Sequence, residues 1–170
     1  MGDSQLAECL SGNASDVVRA FSHSGLTIAC AESLTAGMVS STIADVPGAS
    51  SVLRGGAVTY VNEIKERVLG VSRESIERYT EVSHQVAREM ARGARELFGS
   101  DVAISLTGYA GPGGGTELDP VGTVYLGIAD KQHVSSWRCT FDGDRSSVRM
   151  QAAAEALELC LAWIRSVESA

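Results

Sequence analysis

Leu26-Thr27-Ile28-Ala29-Cys30-Ala31, running directly into Glu32-Ser33-Leu34-Thr35-Ala36-Gly37, is the stretch that sets the architecture. An apolar run this short, bounded by Gly25 and a polar corner, reads as a strand buried on both faces rather than one face. Such a strand needs helices above and below it. Upstream, Val17, Val18 and Phe21 recur at helical spacing over residues 14–23, with Gly25 as the stop. The segment 1–13 has only a weak pattern and is expected to fray, leaving a single domain over 14–168. Downstream, a helix is expected over 35–44, ended by Val46-Pro47-Gly48.

Further along, a second strand is expected over 56–61, and Asn62 is placed to cap a short helix reaching Leu69. A longer helix opens at Ser83, with Val86, Met90, Ala94 and Leu97 on one stripe. A third strand over 102–106 leads into a glycine-dense loop. The stretches 121–129 and 134–140 read as a hairpin, and the last helix starts near Asp144. Two strand–helix–strand crossovers followed by a hairpin predict an α/β fold, a three-layer α/β/α sandwich around a mixed, largely parallel sheet. The C-terminal ends of the first three strands then share one sheet edge, where open α/β sheets bind ligands. Ser33, Tyr60 and Thr107 stand just past those ends.

Composition narrows the function classes. The 170 residues suit one domain and bury about 70% of their extended surface, enough to fold without disulfides or metal. With 14 Lys+Arg against 21 Asp+Glu, the net charge of −7 argues against nucleic acid or an anionic membrane as partner. No run reaches the ~18 apolar residues of a membrane span, and the acidic N-terminus reads against a secretory leader. Cys9, Cys30, Cys139 and Cys160 form no Cys-x-x-Cys pair and read as free thiols, so a reducing cytoplasm is expected. His23, His84 and His133 form no ligand pair, so no metal is expected.

Ser33 at a strand-to-helix corner has a hydroxyl able to stand at the cleft mouth, with the N–H groups of Leu34 and Thr35 able to stabilise an oxyanion. The alternative is that Ser33 merely caps the helix. A serine needs a base, and no histidine is suitably placed. Lys65, in the first turn after Asn62, is disfavoured as a cation by the helix dipole and by any desolvation; a solvated surface lysine is the competing reading. Tyr60 and Thr107 complete a possible hydroxyl network. The loop 108–116 has five glycines between Gly108 and Gly115. It lacks a P-loop ending, yet its N–H groups suit an anion as well as a plain flexible connection. Arg145 and Arg149, four apart, share a helix face and suggest either an anion clamp or surface pairing with Asp142 and Asp144.

These segments together resemble the CinA C-terminal domain family of stand-alone nicotinamide-nucleotide amidases. The likeness runs over Ala-Glu-Ser-Leu-Thr-Ala-Gly (31–37), Val-Pro-Gly-Ala-Ser-Ser (46–51) and Gly-Ala-Val-Thr-Tyr-Val-Asn-Glu-Ile-Lys (56–65). It continues through Leu-Gly-Val (69–71), Val-Ser (82–83), Thr-Gly-Tyr-Ala-Gly-Pro-Gly-Gly-Gly-Thr (107–116), Pro-Val-Gly-Thr-Val (120–124) and Phe-Asp-Gly-Asp-Arg (141–145).

The resemblance implies hydrolysis of the carboxamide of nicotinamide mononucleotide, with Ser33 as nucleophile, Lys65 as base, and Tyr60 and Thr107 as hydroxyl partners. It implies no cofactor, and assembly as a homo-oligomer. The expected substrate-binding set is Glu32, Leu34 and Thr35 at the corner, Gly108, Gly111, Gly113 and Gly114 in the loop, and Arg145 with Arg149. Where the family usually has Glu-Ser-Cys-Thr-Gly-Gly, this chain has Leu34 and Ala36, and it has Tyr109 in place of an aliphatic residue. A non-catalytic nucleotide-binding or regulatory domain, and an amidase for another small carboxamide, are the alternatives.

Overall fold

The computed structural model describes residues 2–169. In chain order its elements are α1 (Asp3–Ser24), β1 (Ile28–Glu32), α2 (Met38–Ala44), β2 (Leu53–Val58), α3 (Asn62–Leu69) and α4 (Arg73–Tyr79). They continue with α5 (His84–Phe98), β3 (Val102–Gly108), β4 (Thr123–Ala129), β5 (Val134–Thr140) and α6 (Arg145–Glu168). The sheet order is β2-β1-β3-β4-β5. β1 pairs in parallel with β2 and β3, while β3–β4 and β4–β5 are antiparallel. The sheet is thus evenly mixed, with the parallel half carrying the crossovers.

All five residues of β1 are buried, Ile28 to Ala31 as an apolar run requires and Glu32 with its carboxylate hydrogen-bonded. Its side chains alternate between two cores. Ile28 and Cys30 join the cluster under α1, α2 and α6, whereas Ala29 and Ala31 join the one under α5. The same split holds in β3, where Ile104 and Leu106 face the first core and Ala103 the second. Small residues on the second face let α5 lie close, and Ser105 Oγ donates to the Ala87 carbonyl across that contact. The result is the three-layer sandwich, with α1, α2 and α6 on one face and α3, α4 and α5 on the other.

The N-terminal segment differs from expectation. Residues 3–13 continue α1 instead of fraying, because Leu6, Leu10 and Asn13 extend its buried stripe and pack on α6. Asn13 Nδ2 donates to the Ala154 carbonyl at 3.2 Å, which satisfies a polar group that hides the apolar pattern in sequence. Other boundaries move as well. β2 is 53–58, not 56–61, and α3 is capped by Val61 without a side-chain bond, so Asn62 is its first helical residue. α4 lies where no helix is expected, and Leu97 is half-exposed rather than on the buried stripe of α5.

Candidate active site

The corner after β1 begins as an extension of the sheet: the Ser33 N–H donates to the Leu106 carbonyl at 3.0 Å. The chain then turns through Ala36 (φ 52°) and Gly37 (φ 94°), both in the left-handed region. This turn delays α2 to Met38, so the helix expected from Thr35 starts three residues late. Neither the Leu34 nor the Thr35 N–H has a hydrogen-bond partner among the described residues; the corner uses the Ser33 and Ala36 N–H groups.

Two charged side chains hold this turn from opposite sides. Glu32 is fully buried, and its Oε2 accepts from the N–H groups of Gly37 (2.9 Å) and Val39 (3.1 Å). Its Oε1 accepts from Ser40 N–H (2.9 Å) and Ser40 Oγ (2.8 Å). The carboxylate therefore caps α2, satisfying N–H groups that a helix start leaves free. Arg149 holds the carbonyl side: its Nε donates to Leu34 O and an Nη to Thr35 O, both at 2.9 Å.

Lys65 comes from the first turn of α3. It is 1% exposed, and its Nζ lies 3.2 Å from Ser33 Oγ, 3.0 Å from the Thr59 carbonyl and 3.5 Å from the Tyr60 carbonyl. Burial holds its ammonium below the ordinary lysine value, and the nearby Glu81 charge opposes that shift in part. A neutral amine fits these contacts. As an ammonium, Nζ donates to all three oxygens; deprotonated, it keeps its donations to the two carbonyls and has a lone pair for the serine hydroxyl.

Ser33, Leu34, Tyr60, Lys65, Thr107 and Arg145 line one cleft of roughly 200 Å³ with Gly108, Gly111 and Gly113. One Arg145 Nη donates to Gly111 O and the other to Tyr60 Oη, each at 2.8 Å. Gly111 has φ 82°, and a Cβ there would stand 2.6 Å from Val121 Cγ1, so any other residue is strained at that point and must displace Val121.

Several expected site residues lie elsewhere. Glu32 and Thr35 are fully buried and outside the cleft lining; Glu32 caps α2, and Thr35 gives its carbonyl to Arg149. Arg149 bonds the corner backbone, lies outside the cleft lining, and makes no ion pair with Asp142 or Asp144 among the described residues. Gly114 is also outside the lining, where a Cβ would stand 3.5 Å from Tyr109 Cδ1. Tyr60 Oη faces Arg145, not Lys65, and Thr107 Oγ1 donates to the Glu81 carbonyl at 2.7 Å, so no hydroxyl relay reaches the amine. Sequence reasoning misses Glu81 and Val82, which also line the cleft. The burial of Glu32 has a signal in the period of β1: Ile28, Cys30 and Glu32 share one face.

The family model described as the CinA C-terminal domain matches residues 11–164. The chain belongs to the CinA C-terminal domain family. A CinA-like protein of Geobacter sulfurreducens is 45% identical over 165 residues, 97% of this chain. A putative competence-damage inducible protein of Caldicellulosiruptor saccharolyticus is 46% identical over 143 residues, 84% of this chain. The chain spans only 39% and 35% of the length of those two relatives. Solved CinA structures match over nearly their whole length. The competence/damage inducible protein CihA of Agrobacterium tumefaciens has TM-score 0.87 and 33% identity, covering 91% of this chain and 94% of its own. A competence-damaged protein (CinA) superfamily protein of Klebsiella pneumoniae has TM-score 0.89 and 30% identity, covering 92% and 98%. The three-layer fold is therefore that of the CinA superfamily.

Proposed function

We propose that the cleft hydrolyses the carboxamide of nicotinamide mononucleotide to nicotinic acid mononucleotide and ammonia, a step of pyridine-nucleotide salvage. The observation that carries this reading is the buried Lys65 amine, held toward its neutral form, 3.2 Å from Ser33 Oγ. Ser33 Oγ attacks the carboxamide carbon while Lys65 Nζ takes the hydroxyl proton. The N–H of Leu34, a residue that lines the cleft and whose N–H has no partner among the described residues, is the candidate donor to the oxyanion. Lys65 then returns the proton to the leaving nitrogen, ammonia departs, and an ester on Ser33 remains. Water, deprotonated by Lys65, hydrolyses that ester and frees the acid.

Arg145 is the group for the phosphate. Its bonds to Gly111 O and Tyr60 Oη fix the guanidinium and leave further N–H donors over. The reading includes no cofactor or metal, and a homo-oligomer working in the cytoplasm; no described helix is long and apolar enough to cross a membrane. Ammonia and acid release from nicotinamide mononucleotide by the purified chain tests it. Ser33→Ala and Lys65→Met should each lower kcat by about 10²–10⁴-fold, with the folded state retained in thermal unfolding. Turnover unchanged in either variant rejects the assignment.

A further inference from the structure

The cleft holds one charge that the hydrolysis above does not use. Glu81 is part of the lining, half-buried, and its carboxylate makes no hydrogen bond or ion pair among the described residues. It is near enough to Lys65 and Tyr109 for its charge to act on both. The backbone carries it there under constraint. Thr80 takes φ +68°, a conformation that a β-branched residue rarely adopts, immediately before it. Thr80 Oγ1 donates to Val82 O (3.1 Å) and Ser83 Oγ to Thr80 O (3.0 Å), and Thr107 Oγ1 ties down the Glu81 carbonyl. A strained, pinned segment presenting an uncompensated carboxylate is a poor choice for stability, since partial desolvation of a charge is unfavourable.

A cationic ligand supplies the missing counter-charge. Tyr109, beside Glu81 in the same lining, offers an aromatic ring of the kind that attracts a delocalised cation. Arg145, by contrast, is bound to Gly111 and Tyr60 and not to this group. The cleft therefore carries both signs of charge, a guanidinium held by its own partners and a carboxylate beside an aromatic ring. We infer that Glu81 and Tyr109 form a subsite for a ring cation, so that this cleft selects pyridinium carboxamides over neutral ones carrying the same phosphate. The inference rests on the amidase reading for the identity of the ligand, and on Glu81 and Tyr109 alone for its charge preference.

The test is calorimetric binding of nicotinamide mononucleotide and of its reduced dihydropyridine form, which keeps phosphate, ribose and carboxamide but lacks the ring charge. Binding is measured in the Ser33→Ala background, so that neither ligand is turned over, with the wild-type subsite and with Glu81→Gln, while ammonia release by the chain with Ser33 is followed in parallel and thermal unfolding confirms a folded variant. The wild-type subsite should bind the cationic form about tenfold more tightly than the neutral one. Glu81→Gln should abolish that preference by weakening the cationic form alone, and Tyr109→Leu should reduce it about threefold. No preference in the wild-type subsite, a preference kept in Glu81→Gln, or binding of neither ligand overturns the inference. Hydrolysis without charge preference removes the subsite and leaves the amidase reading; charge preference without ammonia release does the reverse.

Discussion

The corner at residues 32–40 and the loop at residues 108–116 border the same cleft, yet their backbones are held by different means. In the corner, a buried carboxylate takes the N–H groups of residues 37, 39 and 40, and a guanidinium takes the carbonyls of residues 34 and 35. In the loop, residues 112–118 are exposed, and one arginine reaches the Gly111 carbonyl from α6. The bond-making side thus rests on charge-assisted hydrogen bonds inside the core, which fix positions to the tolerance a nucleophile needs. The ligand-holding side rests on glycine backbone and a surface guanidinium, which tolerate adjustment.

This contrast can be broken most severely at Glu32. Glu32→Gln keeps the shape but replaces one acceptor oxygen with an NH₂ that confronts helix N–H donors. It should destabilise the fold by about 2–3 kcal/mol and lower kcat more than it raises KM, read by denaturant unfolding and steady-state kinetics. If stability and kcat both stay unchanged, the corner does not depend on that carboxylate. Arg145→Ala should act the opposite way, raising KM about tenfold with kcat and unfolding midpoint nearly constant. A fall in kcat with constant KM would place Arg145 in the chemistry instead.

The smallest expected effect sharpens the comparison at Ala36. Its left-handed backbone costs about 1–2 kcal/mol, whereas glycine there would lose roughly 0.5–1 kcal/mol of chain entropy. Ala36→Gly should therefore stabilise the chain by about 1 kcal/mol or less, visible as a small rise in Tm. Because Ala36 lies outside the cleft lining, KM should not move.

Much of this arrangement was legible in the linear pattern where the pattern reflects burial or backbone geometry. The unbroken apolar run of β1, the stop at Gly25 and the start of α5 at Ser83 follow from local rules, and Ser83 does cap α5. Ser33 is readable because strand ends in parallel crossovers converge on one edge, and Lys65 because a serine needs a base and no histidine is suitably placed. Elements defined by tertiary partners were not readable. α4 is short and polar around Ile76, so its helix has little apolar stripe to detect. The start of α2 slipped because Ala36, a helix former by propensity, sits in a left-handed turn imposed by the corner. Arg149 reads as an anion contact because a cation near a cleft suggests anions, and Glu32 enters the site set only through the resemblance, but the partners of both are groups of the corner that only the folded chain brings near. Glu81 stood alone in a loop and gave no local signal at all.

The pairing of Ser33 with an uncharged amine carries a definite pH signature. Burial sets the folded-state value of Lys65 below that of the unfolded chain. Between the two values the unfolded chain binds the additional proton, so stability rises with pH across that window and is lowest below it. Activity should follow the same direction, rising through the lowered value as the amine becomes neutral. The chain contains two lysines, Lys65 and Lys131, so an NMR titration of ¹³Cε-labelled lysine has two signals, and Lys65→Met assigns them. The account predicts that the Lys65 signal titrates clearly below the ordinary lysine value of 10.5, at the same pH as the rising limb of kcat/KM. A Lys65 signal that titrates at or above that value, with activity flat across the range, would contradict it.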